Sequence, residues 1–355
     1  MSISSQGSIP ARSRIGLALG SGGARGWAHV GVLRRLQELK VPVDFVAGTS
    51  IGAIMGATFA AGRLDVLEDL SHQLDWRRVA KLFVEVSFPR AGLVTGRRIQ
   101  QLIQEVVGVQ RIEDLAIPFA AVAANLHTGR QVVFTHGGVV DAIRASIAIP
   151  GIFVPAQHEG QHLVDGGTIN PLPIDVVEAM GADIVIAVDV NLQPGRGNEK
   201  VAERLPHVER SAVRDISSIL AHLGEPLPRV QGVVADAMER WFRREARGLS
   251  IFDVLTRSVR IAENQITRSR ITLHPPALLI QPAVGDIETL EFHRSAQAID
   301  AGRAATDACA EKIRELLAAT CLLPTASISS LPCRPVGLAR HAHQDVHVVP
   351  RDGAA

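Results

Sequence analysis

The chain has 355 residues, 46% of them hydrophobic, and a formal net charge of +1. That length supports one large α/β domain or two small ones, and the near-neutral balance excludes the basic excess of a typical nucleic-acid binder. Tyrosine is absent, which excludes chemistry that needs a catalytic tyrosine, and Cys309, Cys321 and Cys333 lack metal-ligand spacing and fit a reducing compartment.

The first 13 residues are rich in Ser, lack the apolar core of a signal peptide and read as a flexible N-terminus. Ile15–Leu19 reads as a short buried strand. A glycine-rich turn follows, Gly20-Ser21-Gly22-Gly23-Ala24-Arg25-Gly26, then a helix to about Lys40 with Val30, Leu33 and Leu36 inward. Val43 to Ala47 reads as a second buried strand. It runs into Gly48-Thr49-Ser50-Ile51-Gly52 and a helix that Gly62 ends. That helix is apolar on all sides, which places it centrally.

Further strands are predicted at Phe119–Asn125, Gln131–Thr135, His162–Val164, Ile184–Val190 and Ala277–Gln281, with helical patterns between most of them. The alternation predicts an α/β fold, a three-layer sandwich with a largely parallel central sheet, over about residues 14–320. Residues 194–269 read as a mostly helical insertion. Residues 321–355 show no apolar periodicity and read as a disordered tail. No apolar run reaches the ~18 residues of a membrane span. The expectation is a cytoplasmic protein, with peripheral contact at the inner membrane face and the oligomeric state left open.

Two strand-to-helix turns carry the chemistry. The glycine-rich turn is a generic anion site, where unpaired N–H groups and the helix dipole favour negative charge. Gly20, Gly22 and Gly26 approximate a dinucleotide fingerprint, but the second strand ends without the acidic residue that would hold a ribose. No Gly-Lys-Ser/Thr closes the turn, so a P-loop fails. A tight packing turn is the remaining alternative. Gly48-Thr49-Ser50-Ile51-Gly52 matches G-x-S-x-G, in which a sharp turn projects the serine hydroxyl and glycines let strand and helix approach. Its structural alternative is a helix-capping Ser50. Both turns follow buried strands, so both sit at the C-terminal edge of a parallel sheet, where ligands bind.

A serine nucleophile needs a proton acceptor. Thirteen histidines are available. His29 follows the glycine turn and reads as a satisfied helix residue, and His158 and His162 are the candidates for a triad. Asp165-Gly166-Gly167 offers a carboxylate instead, although Asp-Gly-Gly alone is a turn signal. Strand alternation separates Asp165 from His162. Within the insertion, Val230, Val233, Val234, Ala237, Met238, Trp241 and Phe242 form a helical stripe beside Arg240, Arg243, Arg244 and Arg247. That pattern suits a membrane interface or packing against protein.

The glycine-rich turn with Arg25-Gly26, the Gly48–Gly52 elbow, the run Ala145 to Phe153, and Asp165-Gly166-Gly167 together resemble the patatin-like phospholipases in order and spacing. Gly181 to Asp189 is similar to the bacterial RssA-type members. The resemblance implies a Ser50–Asp165 dyad without histidine, and an oxyanion hole from backbone N–H groups around Gly22, Gly23 and Ala24 with Arg25 close by. Ser21 stands where many members carry glycine. The implied activity is hydrolysis of a lipid ester or phospholipid through an acyl-enzyme, of phospholipase A, lysophospholipase or esterase type, with no cofactor and no metal. Two alternatives stand beside it: an α/β-hydrolase with a histidine triad, and a non-enzymatic protein that binds an acyl ligand.

Overall fold

In a computed structural model of the chain, the described residues are 12–73, 94–191, 251–320 and 347–348. Residues 1–11, the Val230–Phe242 stripe, the Arg240–Arg247 cluster, and the tail from 321 apart from 347–348 lie outside them. The chain divides into two compact units, Met1–Gln193 with Ser258–Ala355, and Pro194–Arg257. Residues 258–269, which the sequence assigns to the insertion, thus belong to the first unit.

Nine strands form one sheet among the described residues. They are β1 (Ile15–Leu19), β2 (Val43–Thr49), β3 (Phe119–Asn125), β4 (Gln131–Phe134), β5 (Ala156–His158), β6 (Gln161–Asp165), β7 (Ile184–Val188), β8 (Leu278–Ile280) and β9 (His347–Val348). The order is β5-β6-β3-β2-β1-β7-β8, with β4 on β3 and β9 on β4. The run β3-β2-β1-β7-β8 is parallel, β4 and β6 pair antiparallel with β3, β5 pairs antiparallel with β6, and β9 pairs parallel with β4. The mixed α/β fold with a mostly parallel sheet is therefore the one expected. Every residue of β1 and β3 is buried, as in a sheet covered on both faces.

Small residues on one face, Ala18, Ala47, Ala120 and Ala187, meet Ile174 and Val177 of the helix Ile174–Ala179. On the other face the helix Ile51–Ala60 lies against Leu19, Val46 and Phe119. Nine of that helix's ten residues are buried, which fits its uniformly apolar sequence. Gly62 follows it at φ +71. Two strands were not read from the sequence. β5 is three half-exposed residues with no apolar alternation. β9 falls within the tail expected to lack structure, where His347 and the β-branched Val348 pair with Val132 and Val133 of β4.

One feature of the sheet positions the site. β4 pairs with β3 at Ala121–Ala124, overlapping both the β2 register (Phe119–Val122) and the β6 register (Ala123–Asn125). Hence β2 and β6 share the edge of β3 opposite β4, end to end. Thr49 faces Val122 and Asp165 faces Ala123, at consecutive positions of one strand. The two strands run toward each other and bring Ser50 and Asp165 together, though they are far apart in sequence.

Candidate active site

Ser50 links β2 to the helix Ile51–Ala60 with φ 57 and ψ −125, a backbone conformation that an L-residue avoids. Crowding holds it there. A Cβ on Gly52 would lie 2.2 Å from the Leu19 carbonyl oxygen, and one on Gly48 would lie 2.3 Å from that of Gly52. The Ser50 amide donates to Ser146 Oγ at 2.9 Å, and Ser146 Oγ donates to the Val122 carbonyl at 2.6 Å. Ser146 therefore ties the elbow to β3. The sequence marked its run only by resemblance and gave it no role.

The Ser50 hydroxyl donates to Asp165 Oδ2 at 2.6 Å. Asp165 Oδ1 accepts the Gly167 amide at 2.7 Å. Gly166 fits beneath because a Cβ there would meet the Val122 carbonyl oxygen at 2.2 Å. Burial pushes the Asp165 carboxyl up to about 7, against the two hydrogen bonds that hold it down. A carboxyl in that range suits a general base near neutral pH.

The glycine-rich turn is folded as a 3-10 helix, Gly23–Trp27, ahead of the helix Ala28–Glu38. A Cβ on Gly26 would lie 2.3 Å from the Ile51 side chain, so turn and elbow are in contact. The amides of Gly20, Ser21 and Ala24 are committed to the carbonyls of Val188, Pro171 and Thr289. The amides of Gly22 and Gly23 have no acceptor among the described residues. Ile51, first in its helix, likewise has no intrahelical acceptor for its N–H. The Arg25 guanidinium is turned to the Ile287 carbonyl and Asn191 Oδ1, at 3.0 and 2.9 Å. Burial lowers it to about 10. Of the four residues expected at this turn, Gly22 and Gly23 keep free donors, whereas the Ala24 amide and the Arg25 side chain are engaged elsewhere.

Among the described residues no histidine bonds Ser50 or Asp165. His29 Nε2 lies 2.9 Å from the Gly20 carbonyl oxygen, and burial lowers its pKa to about 4, so the neutral ring donates there. His162 meets His127 at 3.2 Å, and His158 stacks edge-on with Phe134. No group of three or more His, Cys, Asp or Glu among the described residues is arranged to hold a metal ion.

Ser50 and Gly23 open onto an apolar cavity of about 110 Å³. Ile54, Met55, Leu102, Ile103, Phe153 and Phe292 are among its walls. On the opposite, polar side lies Glu263, from the helix Ile251–Leu273, hydrogen-bonded by Ser21 Oγ and Asn191 Nδ2 at 3.4 and 3.3 Å. No local signal in the sequence marks this glutamate.

A family model described as patatin-like phospholipase matches residues 17–177, a span that includes β1, the elbow and Asp165. An uncharacterized NTE family protein of Mycobacterium tuberculosis is 36% identical over 323 residues, covering 82% of this chain and 89% of that protein. Patatin-like phospholipase domain-containing protein 7 of Rattus norvegicus is 39% identical over 181 residues, 50% of this chain and 13% of the longer protein. Lysophospholipase NTE1 of Pyricularia oryzae is 36% identical over 180 residues, 50% of this chain and 12% of that protein. Matched along most of its own length and most of the mycobacterial protein's, the chain belongs to the patatin-like phospholipase family.

Proposed function

We propose that this chain hydrolyses lipid esters through an acyl-enzyme on Ser50, with Asp165 as the base. The observation that carries the reading is the 2.6 Å hydrogen bond from the Ser50 hydroxyl to Asp165, at the mouth of an apolar cavity. Asp165 takes the hydroxyl proton as Oγ attacks the ester carbonyl carbon. The carbonyl oxygen becomes an oxyanion, met by the free amides of Gly22 and Gly23 and by that of Ile51. The tetrahedral intermediate collapses, the alcohol leaves with the proton from Asp165, and the acyl group stays on Ser50. Water then attacks the acyl-enzyme, its proton passes to Asp165 and back to Ser50, and the fatty acid departs.

The cavity walls supply apolar contact for one acyl chain, which supports a lipid substrate over a small polar ester. The name of the Pyricularia relative puts lysophospholipids first among the lipids to try. No helix among the described residues is long and apolar enough to cross a membrane. Labelling with a fluorophosphonate tests the nucleophile. Wild type should be labelled and Ser50→Ala should not, and equal labelling would remove the reading.

A further inference from the structure

Glu263 has no part in the steps above, yet it is built into the same site. Its Oε1 lies 2.2 Å from the point a Cβ on Gly167 would occupy, and Asp165 Oδ1 lies 3.0 Å from that same point. The two carboxyls are therefore neighbours across a glycine, and any side chain at Gly167 would displace Glu263. Its other oxygen receives Ser21 Oγ and Asn191 Nδ2. Ser21 immediately precedes the two glycines whose amides are free. The helix is anchored two turns further on, where Arg270 pairs with Asp175 at 3.0 Å and donates to the Ile169 carbonyl at 3.3 Å.

We propose that Glu263 is a positioning residue of this site, a neutral carboxyl that joins the Asp165 turn to the Ser21 turn and stops turnover when it ionises. The proposal rests on the Ser50–Asp165 reading. The charged groups acting on Glu263 are Asp165 at the end of β6 and Arg25 on the glycine-rich turn. Around Arg25 in turn stand Asp189 after β7, Arg260 on the Glu263 helix, and Glu288 on the segment after β8. Arg260 faces Glu288 at 3.8 Å. Arg25 is the buried cation that opposes the influence of Asp165 on Glu263, its guanidinium held by the Ile287 carbonyl and Asn191. Ionising Glu263 as well leaves a second negative charge beside the amides that must receive an oxyanion, which opposes the charge developing there. Burial, and then Asp165, push the Glu263 carboxyl up to about 8, with Arg25 opposing. The working state is ionised Asp165 beside neutral Glu263, a window that belongs to the coupled pair.

The test is the rate at which a fluorophosphonate labels Ser50 in the full chain between pH 6 and pH 10. In wild type the rate should rise toward pH 7.5 and then fall roughly tenfold by pH 9.5, a bell set by the two carboxyls. Glu263→Gln, neutral at every pH, should lose the alkaline fall and hold its rate to pH 9.5. Glu263→Met is a second neutral variant should the first fail to fold. A wild-type rate that stays flat from pH 7.5 to 9.5 overturns the proposal, as does a folded neutral variant that falls in parallel with wild type. Both results leave the dyad standing. Absence of Ser50 labelling at any pH removes the dyad reading and this inference with it.

Discussion

The two sides of Ser50 use burial in opposite ways. On one side lies a cavity walled by Ile54, Leu102, Ile103 and Phe153, where excluding water favours an acyl chain. On the other lie Asp165, Glu263, Arg25, Asn191 and Ser21, where excluding water penalises charge. The same desolvation that supplies binding in the cavity lifts both carboxyls into the neutral range. The polar side is therefore poised to exchange protons, and the apolar side is indifferent to pH. A change on the polar side should alter rate and its pH dependence. A change on the apolar side should alter which ester is preferred.

The largest effect is expected from Asp165→Asn. The amide can keep its oxygen on the Gly167 N–H, and then its NH2 faces Ser50 Oγ, so the serine becomes an acceptor and loses its base. The kcat for a nitrophenyl ester should fall at least about a hundredfold, as general-base loss typically does. His158→Ala and His162→Ala should each stay within about threefold, since the His162 ring meets His127 and the His158 ring stacks on Phe134, and neither bonds Ser50 or Asp165. A dead histidine variant beside an active Asp165→Asn would replace the dyad with a triad.

A smaller effect is expected in the cavity. Ile103 is 2% exposed on the helix Arg97–Val107 and lines the space. Ile103→Trp should exclude about two methylenes of a long acyl chain, at roughly 0.8 kcal/mol each. The ratio of kcat/KM for a twelve-carbon over a four-carbon nitrophenyl ester should fall on the order of tenfold. An unchanged ratio would place the acyl chain outside this cavity.

The two sides also differed in how far the sequence revealed them. The strand-turn-helix units around Gly20–Gly26 and Gly48–Gly52 were legible because their glycines and buried strands are local signals. The nucleophile could be placed from residues 43–62 alone. Asp165 was a turn signal on its own and became a partner only through resemblance. What brings it to Ser50 is the abutment of β2 and β6 on one edge of β3, which no local pattern encodes. Ser146 and Glu263 escaped for the same reason: each is tied to two hydrogen-bonded neighbours distant in sequence, Ser50 and Val122 for the one, Ser21 and Asn191 for the other. Ala24 and Arg25 were expected at the oxyanion, but their partners Thr289, Ile287 and Asn191 come from later segments, and those contacts are invisible until the chain folds.

The smallest predicted effect is on stability, and its sign separates the two sides most sharply. The folded-state pKa of Asp165, about 7, lies above the ordinary carboxylate value of about 4. Folding thus favours the neutral form. That contribution to stability is fully present below about pH 4 and is lost as the pH rises through about 7, because the folded state must then bury a charge. Glu263 adds to the same loss up to about pH 8. Asp165→Asn is uncharged throughout, so the difference in Tm, variant minus wild type, should grow in the variant's favour from pH 5 to pH 8.5. A gain of at least about 2 °C corresponds to ~1 kcal/mol for a domain of this size. Ile103→Trp touches no titrating group, so its Tm difference should be the same at both pH values. A difference for Asp165→Asn that also stays constant with pH would mean that Asp165 is already ionised at pH 5. The hydrogen bonds from Ser50 and the Gly167 amide would then outweigh burial, and the base would owe its strength to the geometry of its bond with Ser50 and not to its pKa.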